Sequence, residues 1–265
     1  MRNCDTPALA PDACVVAGQT PTLNLTGERT LPGIPDENYW FRRHEAAYVA
    51  LAPFVTGAVV LDAGAGEGYG AALLRRTARA VVALDYAPEV CAHVSGRYPH
   101  VPAVRGDLQR LPVRDGSVEV VAHLQTLEHL HDQPGFLTEC ARVLRPAGTL
   151  LVTTPNRLTF SPGRETPLNP FHTRELTAAE LAELLAPHFT VMRMLGVGHG
   201  PRLQRWERRH GSLVDQLIAT PPAHWSPPLR RVVRAVRAAD FVVAAADVDT
   251  SLDLVAVAVR RFSSP

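Results

Sequence analysis

Glutamate and histidine side chains suited to acid–base chemistry or metal binding stand in two segments of the sequence. Glu128 and His129 are adjacent, and His172 lies in a long segment that starts at Thr154. An imidazole can take up a proton near neutral pH, and a carboxylate can orient that imidazole or hold a divalent cation. We therefore predict that Glu128, His129 and His172 form the reaction site.

A glycine-rich turn supplies a second group of candidate residues. Asp62, Gly64 and Gly66 lie in the sequence LDAGAGEGYG, which follows an apolar run and precedes a helical pattern. Glycines at such a turn let the backbone approach a ligand closely, and the N-terminus of the helix favours negative charge. Taken alone, this spacing would also suit a dinucleotide.

Acidic residues after the first three predicted strands narrow the choice of ligand. Asp62 lies just before the glycines. Its negative charge suits a ligand with an ammonium group and would not help to bind a pyrophosphate. Asp85, which Tyr86 follows, can accept hydrogen bonds from both hydroxyls of a ribose. Asp107 can accept a hydrogen bond from the amino group of an adenine, while the Leu108 side chain lies against the adenine ring. Together these residues indicate a nucleoside that carries an ammonium group.

Short apolar runs alternate with helical segments over most of the chain. This pattern predicts an α/β fold with a doubly wound, mostly parallel sheet and right-handed crossovers. The predicted strands cover residues 58–62, 80–85, 102–105, 118–123, 149–153 and 191–197, with a late edge strand at 254–259. Because ligands bind beyond the carboxyl ends of such strands, we expect Glu128 and His129 to meet the loop 154–176 there.

Three regions are expected along the chain. They are a disordered tail at 1–24, one catalytic domain at 25–265, and a helical cap inserted into that domain at 201–250. The tail is rich in proline, alanine and threonine, and the cap interrupts the strand–helix alternation. An N-terminal helix is predicted at 36–53, and Thr177 is expected to cap a helix that ends at Leu185.

Over residues 58–154 the ordered set of motifs resembles the class I S-adenosylmethionine (SAM)-dependent methyltransferases. The resemblance implies SAM as cofactor and a seven-stranded sheet in the order 3-2-1-4-5-7-6, with strand seven antiparallel. It also implies the residues that bind SAM, which are Asp62, Gly64, Gly66, Asp85, Tyr86, Asp107, Leu108 and Gln125. Tyr39 and Arg43, on the N-terminal helix, are expected to close over the carboxylate of SAM.

The segments 125–129 and 172–175 resemble the metal site of small-RNA 2′-O-methyltransferases, which quinone-pathway O-methyltransferases share in part. The resemblance implies Mg²⁺ or Mn²⁺ on Glu128, His129 and His172, where the cation would lower the pKa of the acceptor hydroxyl. Gln125 stands where that family has its first carboxylate, and an amide brings no charge. The alternative is a metal-free site in which His129 or His172 is the general base.

Segments mostly outside the cofactor region resemble actinobacterial sugar O-methyltransferases of polymethylated polysaccharide biosynthesis, of the methylmannose and methylglucose types. These segments are 26–32, 37–44, 154–176, 199–203 and 251–254. The resemblance implies a short mannoside or glucoside as acceptor, with the reducing-end 1-OH of a 3-O-methylated mannoside as one candidate. Aromatic side chains available to stack on a pyranose are Tyr39, Trp40, Trp206 and Trp225. The alternative acceptor is a small lipid-like or quinone molecule, methylated at oxygen or carbon.

The composition argues against several classes of partner. The net charge is +1, from 27 basic and 26 acidic residues, and no basic stripe indicates nucleic acid binding. The cysteines form neither a disulfide nor a zinc pattern, and neither a signal peptide nor a membrane-spanning run is evident. We expect a cytoplasmic enzyme with a small-molecule or oligosaccharide substrate, and a homo-oligomer remains open.

Overall fold

Eight strands form one sheet in the structure, a computed structural model that describes residues 23–25 and 29–261. The strands are β1 (Val59–Ala63), β2 (Ala80–Asp85), β3 (Ala103–Arg105), β4 (Val118–Leu124), β5 (Leu144–Pro155), β6 (Phe189–His199), β7 (Phe241–Ala244) and β8 (Asp253–Arg260). Their order across the sheet is β3-β2-β1-β4-β5-β8-β6-β7. β1 to β5 are parallel, β8 is antiparallel to β5 and β6, and β7 is antiparallel to β6.

Helices cover both faces of this sheet. Among the described residues they are α1 (Asn38–Leu51), α2 (Tyr69–Leu74), α3 (Pro88–Arg97), α4 (Gln133–Val143), α5 (Arg157–Phe160), α6 (Ala178–Leu185), α7 (Pro201–His210), α8 (Leu213–Ala219) and α9 (Pro227–Ala235). Alternate side chains of a strand point to opposite faces. Val60 and Val120 accordingly pack with α1 to α3 and α7 to α9, whereas Leu61 and Val121 pack with α4 and α6.

The predicted count of seven strands is wrong, because the inserted region 201–250 contributes β7 at the outer edge of the sheet. The other strands follow the expected order, with β8 in the place of strand seven and β6 in the place of strand six. The prediction of an edge strand at 254–259 is also wrong. β8 lies between β5 and β6, and Leu254, Val255 and Ala256 are fully buried.

Local signals define the ends of some elements. Thr177 caps α6 as predicted, because its hydroxyl accepts from the Glu180 amide at 3.2 Å while the Glu180 carboxylate accepts from the Thr177 amide at 2.8 Å.

The loop predicted at 154–176 contains the short helix α5. The tail predicted at 1–24 lies outside the described residues except for positions 23 and 24. No helix among residues 29–261 combines the length and apolar character needed to cross a membrane.

A buried ion pair joins α1 to the start of β8. The Arg43 guanidinium donates to both carboxylate oxygens of Asp253, with Nε to Oδ2 at 2.6 Å, and also donates to the Leu252 carbonyl at 2.9 Å. Both charged side chains are almost fully buried. The Tyr39 hydroxyl and His199 Nε2, 2.7 Å apart, connect the same helix to the end of β6. These polar contacts fix the position of α1 on the carboxyl-end edge of the sheet.

Replacing Arg43 with Met should lower the free energy of unfolding by about 3–5 kcal/mol, because the buried Asp253 carboxylate would lose its counter-ion. Chemical denaturation followed by circular dichroism measures the change. Arg79→Met is the matched control, since Arg79 pairs with Glu119 at an exposed position and should contribute less than about 1 kcal/mol. Equal losses in the two variants would contradict the proposed dependence on the buried pair.

Candidate active site

The turn after β1 depends on two glycines with left-handed backbone angles. Gly64 has φ +84° and Gly66 has φ +53°, a region that other residues disfavour. A Cβ on Gly64 would lie 2.7 Å from Cγ2 of Thr126, so a side chain there would collide with the segment after β4. The Gly66 amide donates to Asp85 Oδ2 at 3.0 Å, which joins the turn to the end of β2.

A cavity of about 850 Å³, including the part open to solvent, lies beside this turn. Six of the residues predicted to bind the cofactor line it, namely Gly64, Gly66, Asp85, Tyr86, Leu108 and Gln125. The sequence interpretation missed other lining residues, including His44 and Tyr48 on α1 and Tyr69 on α2. The spacing of His44 and Tyr48 could have revealed them, because residues four apart lie on one face of a helix.

Asp62, at the end of β1, is completely buried and contacts Tyr48, which lines this cavity. The Tyr48 hydroxyl donates to its Oδ1 at 3.3 Å, and its Oδ2 has no hydrogen-bond partner among the described residues. Burial raises the pKa of Asp62 to about 7. A Cβ added to Gly66 would meet no atom within 4 Å, so the cavity is open above the turn. Asp62 itself does not belong to the residues that line the cavity, but a buried carboxylate oxygen without a partner in the described part of the chain, two residues before Gly64, fits a ligand with an ammonium group.

Asp107 occupies a different position from the one its predicted role requires. It is exposed, it does not belong to the residues that line the cavity, and its Oδ1 accepts the Gln109 amide at 2.8 Å. The contact with an adenine amino group therefore stays a prediction. The neighbouring Leu108 does line the cavity, as expected for a side chain that lies against a ring.

A second cavity, of about 860 Å³ including open space, adjoins the first. The two share five lining residues, which are Arg29, Thr30, His44, Gln125 and His129. The second cavity also contains aromatic side chains, Trp40 and Phe160, and polar ones, including Glu37, Arg43 and Asn169. A molecule in the second cavity would therefore reach the contents of the first at this shared wall.

The structure brings together the three residues predicted for the reaction site. Oxygen and nitrogen atoms of Glu128, His129 and His172 lie within 4.8 Å of one another, and all three side chains line the second cavity. Glu128 is 2% exposed, and Oε2 accepts the Thr154 hydroxyl at 2.9 Å. Burial is the main cause that raises the pKa of Glu128 to about 7.

Hydrogen bonds orient both imidazoles of this cluster. His129 Nδ1 lies 3.0 Å from the Phe171 carbonyl, to which it donates, and its Nε2 faces Glu128 Oε1 at 4.0 Å. His172 Nδ1 lies 2.6 Å from Glu175 Oε1, and its Nε2 lies 3.0 Å from the Asn169 amide nitrogen. Carbonyl and carboxylate partners of this kind set the tautomer, and the second ring nitrogen of His172 then accepts from the Asn169 side-chain amide.

Tyr39 and Arg43 do not take the positions predicted for them. Tyr39 is fully buried against His199 and Phe241 and lines neither cavity. Arg43 lines the second cavity rather than the first, and its guanidinium is committed to Asp253. The contact of these two residues with the cofactor therefore stays a prediction, and it is opposed by the buried partner, distant in sequence, that holds each side chain.

The four aromatic residues predicted as candidates for stacking on a sugar lie in different parts of the structure. Trp40 lines the second cavity, whereas Trp206 stacks on His210 at 4.5 Å between ring centroids. Trp225 is 7% exposed and donates to the Thr220 carbonyl at 2.8 Å. Trp206 and Trp225 therefore serve the packing of the cap. Phe160, which the sequence interpretation did not single out, joins Trp40 instead.

Comparison with known proteins agrees with this geometry. Residues 61–152 match the family described as methyltransferase domain. A protein of Mycobacterium tuberculosis, named "Probable S-adenosylmethionine-dependent methyltransferase", is 54% identical over 246 residues that cover 90% of each chain. The chain belongs to the SAM-dependent methyltransferases. SAM is therefore the cofactor of this methyltransferase. We refer to the first cavity, which six of the predicted SAM-binding residues line, as the cofactor cavity.

More distant similarities bear on the acceptor and the fold of this methyltransferase. A ubiquinone biosynthesis O-methyltransferase of Xanthomonas campestris is 34% identical over 116 residues, 42% of this chain and 48% of that protein. A chain from the complex of the Haloferax volcanii Trm112 methyltransferase activator with a methyltransferase has a TM-score of 0.61 and 20% identity. It covers 87% of this chain and 92% of its own length. At that identity the similarity shows the fold alone.

The affinity for SAM should fall as the pH decreases below about 7. Asp62 has a pKa of about 7 in the ligand-free protein, and only its carboxylate form can pair with the ammonium group. Below pH 7, binding should weaken by up to about tenfold per pH unit and should release a proton. Titration calorimetry between pH 5.5 and 7.5, in buffers of different ionisation enthalpy, measures both effects.

Asp62→Asn is the control for this pH dependence, because the amide keeps the shape of the side chain and does not titrate. It should bind SAM more weakly at pH 7.5, and its affinity should change little towards pH 5.5. Asp85 also has a raised pKa through burial and lines the cavity. A pH dependence that persists in Asp62→Asn would assign the effect to Asp85 and contradict our interpretation of Asp62.

Proposed function

We propose that this methyltransferase O-methylates a hydroxyl group of a short mannoside or glucoside in polymethylated polysaccharide biosynthesis, with the 1-OH of a 3-O-methylated mannoside as the leading candidate. The observation that carries the proposal is the Glu128–His129–His172 cluster, which lines the second cavity and reaches the wall shared with the first cavity through His129. SAM, when bound, supplies a methyl group on a sulfonium centre. The second cavity would then hold the acceptor.

His129 suits the task of removing the hydroxyl proton. Its Nδ1–H donates to the Phe171 carbonyl, so its Nε2 is the proton-accepting nitrogen. The hydroxyl proton would pass to Nε2 as the acceptor oxygen takes the methyl group. Glu128 Oε1, 4.0 Å from that nitrogen, would stabilise the imidazolium that results.

The same cluster also has the donor set for a divalent cation. Glu128 offers a carboxylate oxygen, and the imidazoles of His129 and His172 are each oriented through Nδ1, as in many metal sites. A cation held there would lower the pKa of the acceptor hydroxyl. One carboxylate and two imidazoles suit Mn²⁺ better than Mg²⁺, which prefers oxygen ligands. Metal binding and a metal-free base are thus two versions of one proposal, which a chelator separates.

The lining of the second cavity supports a sugar as the acceptor. Trp40 and Phe160 meet edge to face, with ring centroids 6.3 Å apart, and offer an apolar surface. Glu37, Arg43 and Asn169 add polar groups around it. A pyranose presents both an apolar face and several hydroxyls, so it would use both kinds of side chain. A quinone or phenol acceptor has fewer hydroxyl groups and would make less use of these polar side chains.

Methyl transfer from labelled SAM to short 3-O-methylated mannosides should yield a methylated sugar. If EDTA abolishes the product and Mn²⁺ or Mg²⁺ restores it, the cation version holds. If EDTA has no effect, His129 is the base without a metal. A protein that binds SAM yet methylates only phenols in the same assay would contradict the sugar acceptor and favour the quinone-like alternative.

Glu128→Gln should lower kcat by about 100-fold or more, because the variant loses the charge that stabilises the imidazolium or holds the cation. The dissociation constant for SAM should change by less than about threefold, since Glu128 lines the second cavity only. Glu165→Gln is the matched control, because Glu165 is exposed and lies in the loop that carries His172. A normal kcat in Glu128→Gln would contradict the role of the cluster.

A further inference from the structure

His44 is a third imidazole at the place where the two cavities meet. It lies on α1, and it lines both cavities together with Gln125 and His129. The preceding residue, Arg43, is held by Asp253, so the backbone that presents His44 has a fixed position. His129 reaches the same wall from the turn that follows β4. Two imidazoles from separate elements therefore border the space through which the methyl group must pass.

Only one nitrogen of His44 has a hydrogen-bond partner among the described residues. Its Nδ1 lies 3.4 Å from the Thr30 hydroxyl, and that hydroxyl lies 2.9 Å from the Tyr69 hydroxyl. This contact positions the ring, but the Thr30 hydroxyl, unlike the Phe171 carbonyl beside His129, can either donate or accept. In the tautomer with its proton on Nδ1, His44 donates to Thr30, and its Nε2 is an acceptor available to a ligand.

The surroundings of His44 keep its ring uncharged at neutral pH. Burial is the main cause that lowers the pKa of His44 to about 4, and the positive charge of Arg43 acts in the same direction, against the opposing effect of Asp253. A neutral imidazole beside a sulfonium centre can accept a hydrogen bond from a hydroxyl without adding a second positive charge. The side chain therefore has the protonation state that contact with an acceptor requires.

We propose that Nε2 of His44 accepts a hydrogen bond from the acceptor molecule at the junction of the two cavities and so positions the hydroxyl that receives the methyl group. This inference rests on the proposed O-methyltransferase function and adds a residue on α1 to the acceptor site. The bond would align the oxygen with the methyl group, while His129 or a bound cation activates it. Alignment of reacting atoms contributes to kcat as well as to binding.

A pair of amide substitutions tests which ring nitrogen matters. The Asn side chain places its amide near the position of Nδ1, whereas the longer Gln side chain reaches the position of Nε2. In His44→Asn, kcat/KM for the acceptor should fall about 10- to 100-fold, the range expected when one hydrogen bond to a buried group is lost. His44→Gln should stay within about fivefold of the wild type. Because His44 lines the cofactor cavity as well, the SAM dissociation constant is measured for both variants, and in His44→Asn it should change less than kcat/KM for the acceptor does.

Thr30→Val serves as the control for the tether, because it removes the hydroxyl bonded to Nδ1 and keeps the imidazole. It should lower kcat/KM less than His44→Asn does. Calorimetric binding of the mannoside to the complex with S-adenosylhomocysteine adds a readout without turnover, and thermal melting verifies folding. A loss confined to SAM affinity, or equal acceptor kinetics in His44→Asn and the wild type, would overturn the assignment of His44 to the acceptor.

Failure of the proposed function gives a different result. If the wild type methylates a phenol but no sugar, the sugar acceptor is wrong, and the His44 variants are compared on that phenol with the same expectations. If the wild type binds SAM and methylates no hydroxyl compound of either class, both proposals are wrong. Selective loss of acceptor turnover in His44→Asn, with partial retention in His44→Gln, supports the inference in either substrate class.

Discussion

The buried pair of Arg43 with Asp253 is the contact on which the acceptor side of this methyltransferase depends. A guanidinium has a planar fork that fits one carboxylate in one orientation, so the pair fixes the rotation of α1 as well as its distance from β8. That rotation brings Trp40 to the second cavity and His44 to its junction with the cofactor cavity. An apolar contact would hold α1 less specifically, because such contacts have no preferred direction.

The sequence was sufficient to predict that residues at the carboxyl ends of the parallel strands lie together, for a reason rooted in the topology. Parallel strands bring their carboxyl ends to one edge, so residues directly after β1, β2 and β4 must converge. Asp85, Glu128 and His129 could therefore be assigned from their positions after apolar runs. His172 was within reach because its loop begins at β5, which neighbours β4. The capping of α6 by Thr177 was likewise a local signal.

Contacts between distant segments could not be predicted in this way. Nothing near Tyr39 or Arg43 in sequence indicates that their partners are His199 and Asp253, so both were assigned to the cofactor. β7 is only four residues long and lies in a region that is otherwise helical, so the sequence pattern did not indicate an eighth strand. The position of His44 could not be predicted from the sequence, because it depends on where α1 lies. The contacts of α1 with His199 and Asp253 determine that position.

Gln125 shows how the two halves of the site are joined. It has φ +55°, a conformation that costs a residue other than glycine about 1–3 kcal/mol, and it lines both cavities. The backbone amide of Gln125 donates to the Thr153 carbonyl at 2.9 Å, and its side-chain Nε2 donates to the Thr153 hydroxyl at 3.2 Å. These bonds from β5 hold the strained residue in place. The left-handed conformation of Gln125 turns the chain sharply after β4. The segment with Glu128 and His129 can therefore line the second cavity, while Gln125 and His129 also line the cofactor cavity.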